Sequence, residues 1–285
     1  MGIQRAVVSL LRAVIIVIGL GFLFFPLLAV FLSMSPESLW ASLNTVVSYQ
    51  ALQLSIQTSV VSLLITVVLG TPIAYWLARS EFRGQALIRA AVQMPIVSPP
   101  AVAGVGLLLV FGNMGLLGHV LSTFGLSLSF DTAAVVVAQT FISSPFYIHS
   151  AMQSFATIDE KLLSVSRTLG VSRWQTFLRV TIPLAAPGLL SGAALAWGRA
   201  LGEFGATMMF AGNLPGITQT LPLAIYTAMQ SNFRVAVAMS ALLLFVSFLL
   251  LILVYTLGRG SRIGRRRRKE VPDDRALVSF TQATT

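Results

Sequence analysis

The chain has 285 residues, of which 56% are hydrophobic and only 10% are charged. A soluble protein carries about 25% charged residues to cover its surface, so this composition predicts a membrane protein. The absence of cysteine excludes disulfides and thiolate nucleophiles, and two histidines cannot build a multi-histidine metal cage. We therefore expect no metal site. Neither lysine, Lys161 nor Lys269, follows a phosphate-binding loop, so we also expect no ATP hydrolysis in this chain.

Six apolar segments are each long enough to cross a bilayer as a helix, which takes about 20 residues. They are 13–32, 54–77, 92–111, 133–152, 184–210 and 235–257. The first is too long for a signal peptide, and no small-residue cleavage site follows it. The predicted fold class is therefore all-α integral membrane, with six transmembrane helices in a domain over residues 1–258.

The positions of the basic residues indicate how the chain is oriented in the membrane. They are concentrated at the N-terminus, after the second and fourth segments, and in the tail 259–285. Lys and Arg accumulate on the cytoplasmic side of membrane proteins, so both termini are predicted to be cytoplasmic. The basic tail is predicted to be disordered and attracted to lipid headgroups rather than to nucleic acid.

The longest cytoplasmic connection, about 158–183, predicts a helix–glycine–helix element. Leu162, Val165, Leu169 and Phe177 recur at roughly helical spacing, and Gly170 interrupts the pattern. An amphipathic element under a membrane domain suits docking to a cytoplasmic partner. The alternative is a linker that lies on the lipid surface.

This connection resembles the cytoplasmic loop motif of ABC-importer permeases. Gly170 is followed by nine residues and then by Val180-x-Ile182-Pro183, which is similar to the family's Gly, nine residues and Ile-x-Leu-Pro. Residues 164–166 stand where the family has Glu-Ala-Ala. In the family this loop docks in a cleft of the ATPase subunit. The resemblance implies these docking residues: Ser164, Val165, Ser166, Leu169, Gly170, Val171, Ser172, Trp174, Phe177 and Pro183.

Three further stretches of sequence indicate which group of these permeases the chain resembles. Residues 198–207, Gly-Arg-Ala-Leu-Gly-Glu-Phe-Gly-Ala-Thr, are similar to the signature of the molybdate/tungstate and sulfate permease group. Residues 215–226, Pro-Gly-x-Thr-x-Thr-Leu-Pro-Leu-Ala-Ile-Tyr, resemble the molybdate members more than the sulfate ones. Residues 93–104, with Gln-Met-Pro and Pro-Pro-x-Val-Ala-Gly, also fit this group.

The fifth segment combines small and charged residues. Small residues every fourth position form a stripe that lets another helix approach closely. These are Ala194, Gly198, Gly202 and Ala206. On the neighbouring stripe Arg199, Glu203 and Thr207 include two opposite charges that can pair. A charge in the membrane costs about 2.5–3.5 kcal/mol, so the pair is expected either to line or gate a pathway or to fix helix packing.

The third segment contains helix-breaking residues. Pro95, Pro99 and Pro100 remove backbone donors and are expected to bend or interrupt the helix around Ser98. Broken membrane helices tend to flank cavities, so Ser98, Pro99 and Pro100 are pathway candidates. The alternative is a kink that only shapes the bundle. Gly104 and Gly106 are expected to serve packing.

The resemblance implies a permease of an ATP-driven importer for a tetrahedral oxyanion, molybdate or tungstate, working by alternating access in a bacterial-type inner membrane. It further implies a homodimer, two cytoplasmic ATPase subunits that hold ATP and Mg²⁺, and an external oxyanion-binding protein. This chain would be no enzyme and hold no cofactor. The alternatives are a sulfate/thiosulfate permease, an ion-coupled secondary transporter and a membrane-embedded enzyme.

Overall fold

The computed structural model describes residues 2–125 and 127–266, and regular structure in them is helical without any strand. The helices are α1 (Gly2–Leu32), α2 (Pro36–Leu43), α3 (Val46–Arg79), α4 (Gln85–Val97), α5 (Pro100–Phe111), α6 (Gly118–Thr123), α7 (Thr132–Ala156), α8 (Glu160–Thr168), α9 (Arg173–Thr176), a π-helical turn (Phe177–Thr181), α10 (Ile182–Leu201), α11 (Gly205–Phe210), α12 (Leu221–Ser231) and α13 (Phe233–Arg266). The all-α prediction is confirmed for these residues.

Length and apolarity together identify the helices that can cross a membrane. Four meet both criteria within the described residues: Val8–Leu32, Val46–Arg79, Arg173–Leu201 and Phe233–Leu253. The apolar helices α4 and α5, separated by a break at residues 98–99, form a fifth candidate as a pair. A membrane protein is confirmed, whereas at most five of the six expected spans meet both criteria.

The predicted fourth span, 133–152, lies within α7, which is long enough but less apolar. Its 25 residues extend about 37 Å, more than the hydrocarbon core requires. Gln139 and Ser143 lower its hydropathy, and each is only 1% exposed. These polar side chains face protein, so apolarity alone does not identify this helix.

The predicted fifth span, 184–210, is not one continuous helix, because it is interrupted after Leu201. A single helical run begins earlier, at Arg173, and ends at Leu201, because Gly202 forms a turn before α11. The carboxylate of Glu203 then accepts a hydrogen bond from the Ala206 amide at 2.8 Å, in the first turn of α11. Capping by this carboxylate favours a new helix over continuation of the old one.

The chain divides into two compact units. The first contains Ser98–Ile142, Arg199–Leu249 and the described residues up to Ser62. One of its apolar clusters joins α5, α7 and α11 and the other joins α3, α12 and α13. The first cluster includes Ala103, Leu107, Ala138, Ala206 and Phe210, and the second includes Ala51, Leu221, Ala228 and Met239.

The second unit contains Leu63–Val97, Ser143–Gly198 and the described residues from Leu250 onward. Its core joins α3, α7, α8 and α10 through a set of nearly inaccessible side chains. They are Ala74, Tyr147, Ile148, Ala151, Phe155, Ile158, Leu163, Ala185 and Ala196. This core holds α8 against membrane helices.

Helices α7 and α10 pack closely in the second unit. Ser150 donates to the carbonyl of Gly188 at 2.9 Å, and Ser154 donates to the carbonyl of Ala185 at 3.0 Å. A Cβ added at Gly192 would lie 2.8 Å from the Cβ of Ser150. Small residues at 188 and 192 thus allow the close approach typical of membrane helices.

The last helix extends beyond the apolar segment. Helix α13 continues to Arg266, inside the region predicted as a basic tail. The remainder of that tail prediction, 267–285, lies outside the described residues.

Candidate functional site

The connection predicted as a docking element is two helices joined at Gly170. Helix α8 is capped by Asp159, whose side chain accepts from the amide of Lys161 at 2.9 Å. Leu163 anchors α8, since it is only 5% exposed and lies in the core of the second unit. The sequence pattern missed Leu163, because Leu162 beside it satisfied the apolar spacing equally well.

Gly170 adopts a conformation that other residues avoid. Its φ of +80° lies in the left-handed region. Its amide donates to the Arg167 carbonyl at 3.0 Å and that of Val171 donates to the Ser166 carbonyl at 3.2 Å, as in a Schellman motif. Ser172 then caps the next helix by accepting from the Gln175 amide at 3.3 Å. This motif fixes the turn between α8 and α9.

Four apolar side chains of this element are exposed. Leu162, Val165, Leu169 and Trp174 retain 51%, 58%, 77% and 68% of their accessible surface. We call these four residues the docking surface. Exposed apolar side chains next to charged residues such as Arg167 and Arg173 are typical of a partner-binding surface.

The other predicted docking residues divide between surface and interior. Ser164 and Pro183 are exposed. Ser166 is half-buried, and its hydroxyl lies 3.1 Å from the hydroxyl of Thr176, which ties α8 to α9. Phe177 packs inward with its ring centroid 5.0 Å from that of Tyr75. Phe177 therefore supports the element from within.

Arg199 and Glu203, predicted as pathway candidates, form an ion pair. Nη1 of Arg199 lies 2.6 Å from Oε2 of Glu203, whose side chain is fully buried while that of Arg199 is 29% exposed. Because the other carboxylate oxygen accepts from Ala206, both Glu203 oxygens are engaged within the chain. Thr207 is fully buried, and its hydroxyl has no hydrogen-bond partner among the residues that the structure describes. The ion pair and the hydrogen bond together connect Arg199 of α10 to Ala206 of α11 across the helix break.

Two helix breaks lie side by side in the first unit. Helix α4 ends at Val97 and α5 begins at Pro100, so the expected break is present, with Ser98 half-buried and both prolines exposed. A Cβ added at Gly205 would lie 2.8 Å from the Cβ of Pro100. Pro100 and the start of α11 therefore lie in contact, which the sequence did not reveal.

The small-residue stripe predicted for the fifth segment is not continuous. Gly202 lies in the turn after α10 and is exposed, and Ala194 is half-buried. A Cβ at Gly198 would have no neighbour within 4 Å in the described part of the chain. Ala206 does meet another helix, because a Cβ at Gly104 would lie 2.6 Å from its carbonyl oxygen. The helix end at Leu201 separates the members of the stripe.

The motif at 215–226 begins with a buried polar turn. Thr218 accepts from the amide of Leu214 at 2.9 Å, and Gln219 donates to the side-chain oxygen of Asn213 at 2.9 Å. Ser55 accepts from the amide of Leu221 at 2.6 Å, where α12 begins. These bonds make the motif a scaffold element, which sequence reasoning had not assigned. Within the described residues no group of three or more His, Asp or Glu is placed to hold a metal ion.

Comparison with known proteins defines the class of this chain. Residues 67–262 match the family described as the binding-protein-dependent transport system inner membrane component. The chain therefore belongs to this family and is a multi-pass protein of the inner membrane. Membership argues against the secondary-transporter and enzyme alternatives.

The molybdenum transport system permease protein ModB of Mycobacterium bovis is 42% identical over 244 residues, covering 86% of this chain and 90% of that protein. A probable molybdenum ABC transporter permease protein of Haloferax volcanii is 36% identical over 234 residues, covering 82% and 84%. A solved bacterial ABC transporter involved in the import of the acidic polysaccharide alginate superposes with a TM-score of 0.70 at 15% identity, covering 91% and 95%. That superposition shows the importer permease fold.

Proposed function

We propose that this chain is the membrane-spanning permease of an ATP-driven importer for molybdate or tungstate. The observation that carries the proposal is the 42% identity, over 86% of the chain, to a molybdenum transport permease. The permease moves a tetrahedral oxyanion by alternating access and catalyses no bond breakage itself. ATP and Mg²⁺ belong to the partner ATPase.

The proposed assembly is a homodimer that binds two cytoplasmic ATPase subunits and receives its anion from an external binding protein. The family description supports a binding protein as partner. The exposed apolar docking surface supports a cytoplasmic partner, because burying such side chains from water stabilises a complex. The proposed threading keeps six spans, with both termini and the docking surface in the cytoplasm.

Arg199 and Glu203 fit a gate or packing role in this mechanism. A conduit needs weak, transient anion sites, because a tightly held anion would leave slowly. The guanidinium of Arg199 is already paired with Glu203, which weakens its attraction for a passing oxyanion. Ser98, Pro99, Pro100 and Thr207 are proposed to lie along the same pathway.

Uptake of labelled molybdate tests the substrate. Cells with and without this gene are compared, with excess tungstate or sulfate as competitor. We expect gene-dependent uptake that tungstate abolishes and sulfate leaves unchanged. Competition by sulfate would assign the chain to the sulfate/thiosulfate permeases. If molybdate uptake does not depend on the gene, the proposal that this chain transports molybdate is refuted.

Substitution of Trp174 tests the ATPase partner. Loss of an exposed aromatic anchor costs a complex about 2 kcal/mol or more, so Trp174→Ala is expected to reduce copurification of the ATPase while the chain still inserts. Trp40→Ala is the matched control, because Trp40 is 75% exposed on α2, away from the docking surface in sequence. Equal ATPase retention by both variants would contradict docking at Trp174.

A further inference from the structure

Arg79 joins the end of a membrane helix to the start of the docking element. It is the last residue of α3, and its side chain is only 15% exposed. Nη2 donates to the carbonyl oxygen of Ile158 at 2.8 Å, and Nη1 lies 3.5 Å from Oε1 of Glu160. The guanidinium thus binds both the backbone just before α8 and the first residue of α8.

The bond to Ile158 is the stronger of these two contacts. Ile158 is 7% exposed and belongs to the core of the second unit, so its carbonyl bond to a charged donor is shielded from water. The side chain of Glu160 is 80% exposed, and an ion pair in that setting contributes little. Arg79 therefore acts mainly through the backbone at Ile158.

Helix α8 is consequently held at two kinds of anchor. Leu163 supplies an apolar anchor in the core, and Arg79 supplies a polar anchor at the helix start. Another arginine nearby, Arg89 of α4, donates to the carbonyl of Leu77 near the end of α3 at 2.8 Å. Arg89 therefore connects α4 to α3, whereas Arg79 connects α3 to α8.

We infer that Arg79 is a positioning residue that transmits movement of the docking surface to α3. The chain already connects α8 to α7 through residues 157–159 and, through the Gly170 turn, to the helical run Arg173–Leu201. Arg79 adds a polar, non-covalent connection from α8 to a third membrane helix, α3. A partner that displaces α8 then moves α3 together with α7 and α10, which rests on the proposed function as an ATP-driven importer.

The transport test compares Arg79→Gln, Arg79→Lys and the control Arg83→Gln in the complete transporter reconstituted in vesicles. Arg83 is exposed in the connection between α3 and α4. We expect Arg79→Gln to lower the anion transported per ATP hydrolysed about tenfold, as for loss of a charge-assisted hydrogen bond, with ATPase turnover maintained. Arg79→Lys restores part of the ratio, and Arg83→Gln leaves it unchanged. An unchanged ratio in Arg79→Gln, or an equal fall in transport and ATPase turnover, would overturn the inference.

A second measurement does not depend on the transported substrate. Hydrogen exchange of the purified full-length chain in lipid is compared between wild type, Arg79→Gln and Arg83→Gln. We expect faster exchange in α8 for Arg79→Gln, with α10 unchanged. Equal protection of α8 in all three proteins would overturn the connection, whereas failure of molybdate uptake alone would refute only the proposed substrate.

Discussion

At the scale of single residues, the two ion pairs described above differ mainly in burial. The Glu203 side chain is fully buried in its pair with Arg199, whereas that of Glu160 is 80% exposed. Water and ions screen an exposed pair, which contributes about 0–1 kcal/mol. A buried charge that loses its partner costs about 3–5 kcal/mol, because it stays in a poorly solvated place. Sequence spacing predicted the 199–203 pair but could not show its burial.

Removal of the arginine from the buried pair should therefore destabilise the protein. Arg199→Gln leaves the Glu203 carboxylate without its cation, and we expect a loss of about 3–5 kcal/mol in unfolding free energy. Adding Glu203→Gln to that variant should recover part of the loss, because the uncompensated charge is gone. Denaturant titration of the purified chain in detergent measures this, with Glu160→Gln as the exposed-pair control. Additive losses in the double variant would argue against charge pairing as the cause.

At the scale of helices, close packing depends on which glycines face a neighbouring helix. Helices α5 and α11 approach so closely that a Cβ at Gly104 would lie 2.7 Å from the Cβ of Met209 and 2.9 Å from the Cα of Ala206. Gly106 lies on the same helix, yet a Cβ there would meet none of the described residues within 4 Å. Both glycines were expected to serve packing, and only Gly104 does so within the described residues.

These two glycines allow a matched comparison. Gly104→Ala places a methyl group against backbone that cannot move freely, so a loss of about 1–3 kcal/mol in stability is expected from overpacking. Gly106→Ala has room, and its stability is expected to be equal or slightly higher, because alanine favours the helix. Thermal unfolding of both variants in one detergent measures the difference. Similar behaviour of the two variants would contradict the close contact of α5 with α11.

At the scale of the whole molecule, the threading through the membrane is the main consequence to test. The proposed six spans place residues 83 and 164 in the cytoplasm and residue 122 on the opposite side. The chain contains no cysteine, so single cysteines can be introduced without further changes. This property makes chemical labelling a direct measure of orientation.

Membrane-impermeant maleimide distinguishes the two sides. In right-side-out vesicles we expect labelling of Ser122→Cys, and in inverted vesicles labelling of Arg83→Cys and Ser164→Cys, because the basic connections remain inside. Each of the three positions is exposed in the structure. Labelling of residues 83 and 122 from the same side would require a different number of spans between them.

The sequence by itself determined features with local physical causes. The long apolar segments indicated a membrane protein, and Gly170 predicted the turn between α8 and α9. Pro99 and Pro100 predicted the break before α5, whereas Pro95 lies inside α4. Each follows from the solvation or backbone freedom of a few neighbouring residues. The family resemblance is likewise carried by short sequence motifs, and the match over 67–262 confirms it.

Only the tertiary structure decided which residues of these elements meet. Sequence spacing alone does not specify packing or capping between elements. Four features depend on these: the break after Leu201, the contact of Gly205 with Pro100, the burial of Leu163 and the bond from Arg79 to Ile158. A period of 3.6 residues assigns a face to a helix but does not name the element that covers it. Contacts between distant segments form when the chain packs, and their free energies then select among faces and helix ends that the sequence leaves equivalent.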